Sequence, residues 1–275
     1  MARTIDSRAA SREAPAAQTV PVLMYHALFT DGAELAGRPG GVTRYWVHVG
    51  EFERQLRALA ERGFTAVSLS SLVPGALSVR VRRPLVVTFD DGWASDFALA
   101  RPILSRLGWT SEHFVTVDWI GTPGFMSWRQ LAQLVQEGRG VQSHTMSHRD
   151  LDGLSRGDAR IELKASKAVL ERRLGRPVQF LGLPGGRATA PVGLLARSLG
   201  YRGICTSAVG LNRRGGDLYA LRRLPVTRAT TVEDVLAWVE GSGLTRVRLV
   251  SQASRLARRM LGVRLYEAMK ERLAP

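Results

Sequence analysis

The feature that most constrains this chain is a repeated alternation. Short apolar runs with strand character are followed, about seven times, by segments whose apolar residues fall at helical spacing. The runs are Val20–Tyr25, Phe64–Leu69, Leu85–Phe89, His113–Val117, Gly140–Ser143, Val178–Leu183, Tyr201–Thr206 and an extended stretch over Leu218–Val226. Between them the spacing predicts helices over Glu51–Arg62, Ala94–Leu107, Ser127–Glu137, Ser155–Leu174, Ala190–Leu199 and Thr231–Val239. Strands separated by helices pair in parallel and are covered by those helices. Polar groups stand repeatedly just past the strands: His26, Asp90-Asp91, His144 and Pro184-Gly185. A closed α/β barrel gathers such positions at one face, where active sites lie. An open doubly wound sheet also collects ligands at strand ends, but several contributing strands favour the barrel.

One stretch does not read as packing alone. Val86-Val87-Thr88-Phe89 is a buried strand, and two carboxylates, Asp90 and Asp91, follow it directly. Adjacent carboxylates repel and require a counter-charge. Side chains alternate along a strand, so the two point different ways unless the chain bends, and Gly92 permits a bend. Farther on, His144-Thr145-Met146-Ser147-His148 places two imidazoles at i and i+4, which on a helical turn share a face. Two histidines and one carboxylate with open positions suit a catalytic divalent ion, zinc first. The remaining carboxylate then sits beside a metal-bound water and serves as its general base.

These residues also carry a resemblance. Thr88-Phe89-Asp90-Asp91-Gly92, followed by His144-Thr145-x-x-His148, resembles the polysaccharide deacetylase family, carbohydrate esterase family 4, with its NodB-homology domain. Val22-Leu23-Met24-Tyr25-His26 and Met126-Ser127-Trp128 resemble the branch that acts on the exopolysaccharide poly-N-acetylglucosamine. The resemblance covers residues 20–240 and implies a distorted (β/α)7 barrel. It implies Asp90 as catalytic base and Asp91, His144 and His148 as ligands of one divalent ion, zinc first. The implied reaction is hydrolysis of N-acetyl groups on amino sugars of a bacterial polysaccharide or its lipid-linked precursor.

The chain departs from the family pattern in two places. The usual Arg-x-Pro-aromatic motif reads Gly182-Leu183-Pro184-Gly185-Gly186. The arginine that would orient the catalytic Asp is absent, Pro184 and Gly185 are left as substrate-binding positions with the Gly185 N–H as an oxyanion donor, and Arg187 is the nearest replacement charge. Second, no histidine follows His148, so the usual late general acid is missing. His26 and His113, both at strand ends, are the candidates, His26 first. His48 reads as a surface histidine. Trp93 can stack on a sugar ring or fill the core. The two departures leave an alternative reading: a metal-binding but catalytically impaired relative that binds or scaffolds glycans.

Composition bounds the rest. Cys205 is the sole cysteine, which excludes an internal disulfide and a cysteine zinc site. The formal net charge of +15 implies an acidic partner or a solvated basic surface. Nucleic acid is not expected, because interleaved aromatics and recognition motifs are lacking. Residues 1–19 read as a disordered leader without an apolar signal segment. Residues 241–275 form a basic amphipathic helical tail, which either packs on the barrel or docks on an anionic membrane surface. The expectation is a cytoplasmic protein, peripheral at the inner membrane face if the tail docks there.

Overall fold

The computed structural model describes residues 19–38, 40–73, 81–250 and 252. The leader and most of the basic tail lie outside the described residues. The strands that matter are β1 (Val22–Tyr25), β2 (Phe64–Ala66), β3 (Arg83–Phe89), β4 (Glu112–Val115), β5 (Gly140–Ser143), β6 (Phe180–Gly182), β7 (Gly203–Val209) and β8 (Leu221–Pro225). The helices are α1 (Val49–Glu61), α2 (Arg101–Arg106), α3 (Trp128–Gln136), α4 (Arg156–Leu174), α5 (Ala190–Ser198) and α6 (Val232–Val239). Strands β1, β3, β4, β5, β6, β7 and β8 form a ring in that order, every neighbour parallel, and β8 returns to β1 through Leu224–Leu23 and Pro225–Met24. This is the closed seven-strand α/β barrel, with β2 added beside the start of β3.

Strand alternation sorts the core into two layers. Leu23, Tyr25, Leu85, Val87 and Phe89 pack outward with Phe52, Leu56 and Leu59 of α1 and Val235 and Trp238 of α6. Val22, Val86, Phe114, Phe180, Cys205 and Leu221 come from different barrel strands and fill the lumen. The lumen is therefore packed rather than open, as in other α/β barrels. Thr88 and Asp90 continue the inward parity of Val86. Arg223 continues that of Leu221.

Several local signals act as the sequence predicts. Ser127 and Gln130 make a reciprocal capping box at the start of α3. Gly175 ends α4 in the left-handed conformation, φ 65°. His48 is exposed and caps α1, its Nδ1 accepting from Gly50 N–H. One helix differs. Residues Asp96–Ala100 form a π-turn before α2, with Arg101 N–H reaching Asp96 O. Pro102, near the start of α2, has no N–H to continue an α-helical ladder, and the turn before it widens.

Helix is present over 244–250, the described start of the basic tail. Leu244 is buried and Val247 half-buried against the α1–α6 layer. Arg248 Nε donates to Val209 O at 3.2 Å. This part of the tail packs on the barrel. No helix among the described residues is long and apolar enough to cross a membrane.

Candidate active site

Asp90 and Asp91 separate as soon as β3 ends. Asp90 stays in register, its N–H bonded to Tyr25 O at 3.0 Å, and its carboxylate turns into the lumen. Asp91 is itself in the left-handed region, φ 76°, one residue before Gly92 at φ 91°. The bend thus starts at the second aspartate and not at the glycine. A Cβ at Gly92 would stand 3.0 Å from Val115 Cγ1, so a side chain there is strained by both backbone and space.

The histidine pair is built differently from a helical turn. Residues 144–148 are a loop, with Thr145 at φ 69° and His148 at φ 62°. Together with Asp91 these are the only non-glycine residues at positive φ among the described residues. Each such backbone costs roughly 1–3 kcal/mol, and it persists where the surroundings dictate it. Here they do. Thr145 N–H donates to Ser143 Oγ at 3.2 Å, and His148 N–H donates to Thr145 Oγ1 at 3.1 Å. Met146 and Ser147 N–H both donate to Glu162 Oε2 at 2.9 Å, and the Ser147 hydroxyl donates to Glu162 Oε1. Glu162 comes from α4, is buried, and holds the whole loop.

His144, at the end of β5, is buried. Its Nδ1 lies 2.9 Å from Gly182 O, which can only accept, so Nδ1 carries the proton and Nε2 keeps its lone pair. Gly182 is required here, since a Cβ would stand 2.8 Å from the Phe114 ring and 3.0 Å from His144 Nδ1. His148 stacks on Trp119 with ring centroids 4.8 Å apart. The two Nε2 atoms lie 3.5 and 3.4 Å from Asp91 Oδ1. One donor atom from each of Asp91, His144 and His148 falls within 4.8 Å of the others. The other oxygen of Asp91 accepts from Trp93 Nε1–H at 3.1 Å. A carboxylate and two imidazoles with their outer atoms already hydrogen-bonded or stacked fit a divalent cation.

Electrostatics agree with that use. Burial works to raise the pKa of Asp91, but hydrogen bonds from His144 and His148 hold it well below the carboxylate range. Burial works to lower the pKa of His144, yet Asp91 and Asp90 outweigh it and raise it. The imidazoles must be unprotonated at Nε2 to hold a cation, so its affinity falls in acid.

Asp90 meets a partner that lies outside the sequence motifs. Arg223 on β8 is fully buried and grips Asp90 at both ends, Nη1 to Oδ1 at 2.6 Å and Nη2 to Oδ2 at 2.8 Å. Its Nε donates to Thr206 O at 2.9 Å. Burial works to raise the pKa of Asp90, but Arg223, with His144 and His26, holds it below the usual value. The orienting arginine is present, supplied by the last barrel strand. Strand parity was the available signal: Leu221 and Arg223 share a face and Arg222 does not. Arg187, the expected substitute, instead pairs with Asp150 at 2.9 Å and Asp152 at 3.3 Å on the surface.

The remaining candidates divide. His26 lines the cleft with Asp90, Asp91, His144 and His148, stacks on Tyr45 at 4.7 Å, and has no hydrogen-bond partner at Nδ1. His113 does not reach the cleft. It is buried on Phe89, its Nε2 2.9 Å from Ser111 Oγ and its Nδ1 3.9 Å from Asp96, and burial pushes its pKa down to about 3. Trp93 lines the cleft but is sandwiched by Phe125 at 4.4 Å and edged by Trp46 at 5.1 Å. Gly185 lines the cleft at φ 69°, whereas Pro184 is buried and does not. The cleft holds about 830 Å³, within the range of ligand sites. Glu162, Trp119 and Arg223 were missed because each acts from a different element than the motif it supports.

The loop clamp yields a direct test. Glu162→Ala should leave two loop N–H groups unpaired and weaken zinc binding about 10- to 100-fold, the usual cost of losing an outer support. Competition with a chelator reads the affinity; wild-type affinity in a folded variant would show that the loop holds itself.

Comparison with known proteins places this geometry. The polysaccharide deacetylase family model matches residues 79–204, which include both aspartates and both histidines. YxkH of Bacillus subtilis (strain 168), whose description places it among the polysaccharide deacetylases, is 26% identical over 228 residues, 80% of this chain and 76% of that protein. The structure of BC0361, a polysaccharide deacetylase from Bacillus cereus, is 28% identical with a TM-score of 0.71, covering 81% of this chain and 69% of that one. Streptococcus pyogenes deacetylase PplD, solved in complex with acetate, shares the fold at 24% identity and a TM-score of 0.72, over 82% of this chain and 99% of that one. Residues 79–204 thus match the polysaccharide deacetylase domain, and the closed barrel around them is of the NodB type seen in these deacetylase structures.

Proposed function

We propose that this protein is a metal-dependent N-deacetylase that hydrolyses the acetamide of an amino sugar in a bacterial glycan or its lipid-linked precursor. The observation that carries the reading is the Arg223–Asp90 pair beside the Asp91-His144-His148 triad in one cleft. A divalent ion, zinc first, held by that triad supplies Lewis acidity toward the amide carbonyl and acidifies water. Asp90 is kept ionised by Arg223 and accepts a proton from the attacking water. The new C–O bond forms as the amide C–N bond breaks, and acetate leaves. The Gly185 N–H faces the developing oxyanion. His26 protonates the departing amine. Acetate bound in the fold relative PplD is consistent with this product. The alternative, a glycan-binding relative without turnover, rested on a missing arginine and a missing acid. Arg223 removes the first reason.

The test is acetate release from N-acetylglucosamine oligomers by zinc-loaded protein. Release proportional to bound metal supports the reading. Bound glycan and bound metal without acetate would move it to the scaffolding alternative.

His26 gives a pH prediction. Burial is the main influence on it and lowers its pKa below 6.5, against the pull of Asp91 and Asp90. A protonated His26 is needed to donate, so kcat/KM should fall as pH rises through that lowered pKa. In His26→Gln this limb should vanish and kcat drop about 100-fold, with zinc binding kept. A limb unchanged in the variant assigns the acid elsewhere.

A further inference from the structure

The cleft is longer than the metal centre. From His26 it runs past the residues after β8 to α6 and the 244–250 helix, and its far arm differs in chemistry. The charges along the cleft can be followed one by one. Asp90 is matched by Arg223, Asp91 by two histidines and Asp150 by Arg187. Asp234 is occupied in the capping box of α6, accepting from Thr231 N–H at 3.1 Å. Every acid on the wall is engaged. Of the arginines on the wall, Arg187 is paired, but Arg44 and Arg246 form no ion pair among the described residues. Arg44 adjoins Tyr45, the ring that stacks on His26, so its charge begins next to the reacting end.

The same arm is also apolar. Val42 and Val250 line it and are 44% and 47% exposed, and Val247 continues the strip; Leu249 beside them is 61% exposed. Large exposed aliphatics beside uncompensated guanidinium groups are an arrangement for an anionic amphiphile. A neutral polymer uses neither feature. A partly deacetylated polymer is worse, because each turnover creates an ammonium that Arg44 and Arg246 repel.

We propose that this arm receives a phosphate-linked lipid carrier: the amino sugar sits at the metal centre, its anomeric phosphate between Arg44 and Arg246, and its chain along Val42, Val247 and Val250. The inference rests on the deacetylase reading and narrows its substrate to the lipid-linked precursor.

The test uses the full-length zinc protein and three substrates: N-acetylglucosamine joined to a short alkyl chain through a phosphodiester, the neutral alkyl glycoside of the same chain, and the N-acetylglucosamine trimer. The phosphodiester should exceed the neutral glycoside in kcat/KM by about tenfold or more, the value of one or two charge-assisted hydrogen bonds. In R44Q/R246Q that ratio should fall to near one. Val250→Asp should depress both alkyl compounds relative to the trimer. Equal kcat/KM for the two alkyl compounds, or a preference that survives R44Q/R246Q, overturns the inference while leaving the deacetylase reading intact. Calorimetry on Asp90→Asn separates the converse case. Selective binding of the phosphodiester without acetate from any substrate in the wild type would keep the arm and remove the deacetylase.

Discussion

Arg223→Met should destabilise the protein by about 3–5 kcal/mol, the cost of leaving a buried charge without its partner. For a chain of this length that is a fall in melting temperature of roughly 5–9 °C. The cause is specific. Asp90 is 3% exposed and Arg223 fully buried, and the two exchange a pair of short, parallel hydrogen bonds. Burial is already the largest single influence on Asp90, and without Arg223 only His144 and His26 oppose it, so its pKa rises. The sign of the pH effect follows. Asp90 has a depressed pKa in the folded state, so its ionisation stabilises the fold above the unfolded carboxylate value. That contribution is lost as pH falls through the folded pKa. In Arg223→Met the acidic limb of kcat/KM should therefore move to higher pH, because the base must be ionised to work. The double variant Asp90→Leu/Arg223→Met tests the assignment from the other side. Removing both charges should recover much of the stability and none of the activity. Thermal melts and a pH–rate profile check both statements; a stable Arg223→Met with an unmoved acidic limb contradicts them.

Asp90→Asn should lower kcat by roughly 10²–10⁴-fold, the span of general-base contributions. Asparagine keeps the shape and accepts one hydrogen bond from Arg223, but it cannot take a proton at neutral pH. Metal affinity should stay close to wild type if the ion is held by Asp91, His144 and His148, the candidate ligand set. Asp91→Asn should do the reverse and lose the metal first. Neighbouring aspartates with opposite phenotypes, one in turnover and one in metal content, are the expected signature of the bend at Asp91. Metal analysis beside acetate release distinguishes them, and equal loss of metal in both variants would merge their roles.

Much of this site was legible one residue at a time. The paired carboxylates called for a counter-charge, the two histidines offered further donor atoms for a cation, and strand ends named the barrel face. Those inferences rest on short-range chemistry that a sequence carries directly. His144 and His148 do not share a helical turn, yet their donor atoms converge with that of Asp91. The loop reaches the same convergence through two strained residues and the Glu162 clamp. Nothing in residues 144–148 announces that conformation, because its support comes from α4.

By itself, the sequence determined the alternation of strand and helix, the inward parity of each strand and the chemical types at the strand ends. These follow from periods of two and 3.6 residues and from solvation of charge. Only the tertiary structure decided which distant groups meet. Arg223 is 133 residues from Asp90, and closing β8 onto β1 brings them together inside the lumen. A buried carboxylate needs a partner, and the chain order does not say from which strand it comes. Ring closure does, because it turns two inward-facing positions on separated strands into neighbours at hydrogen-bond distance.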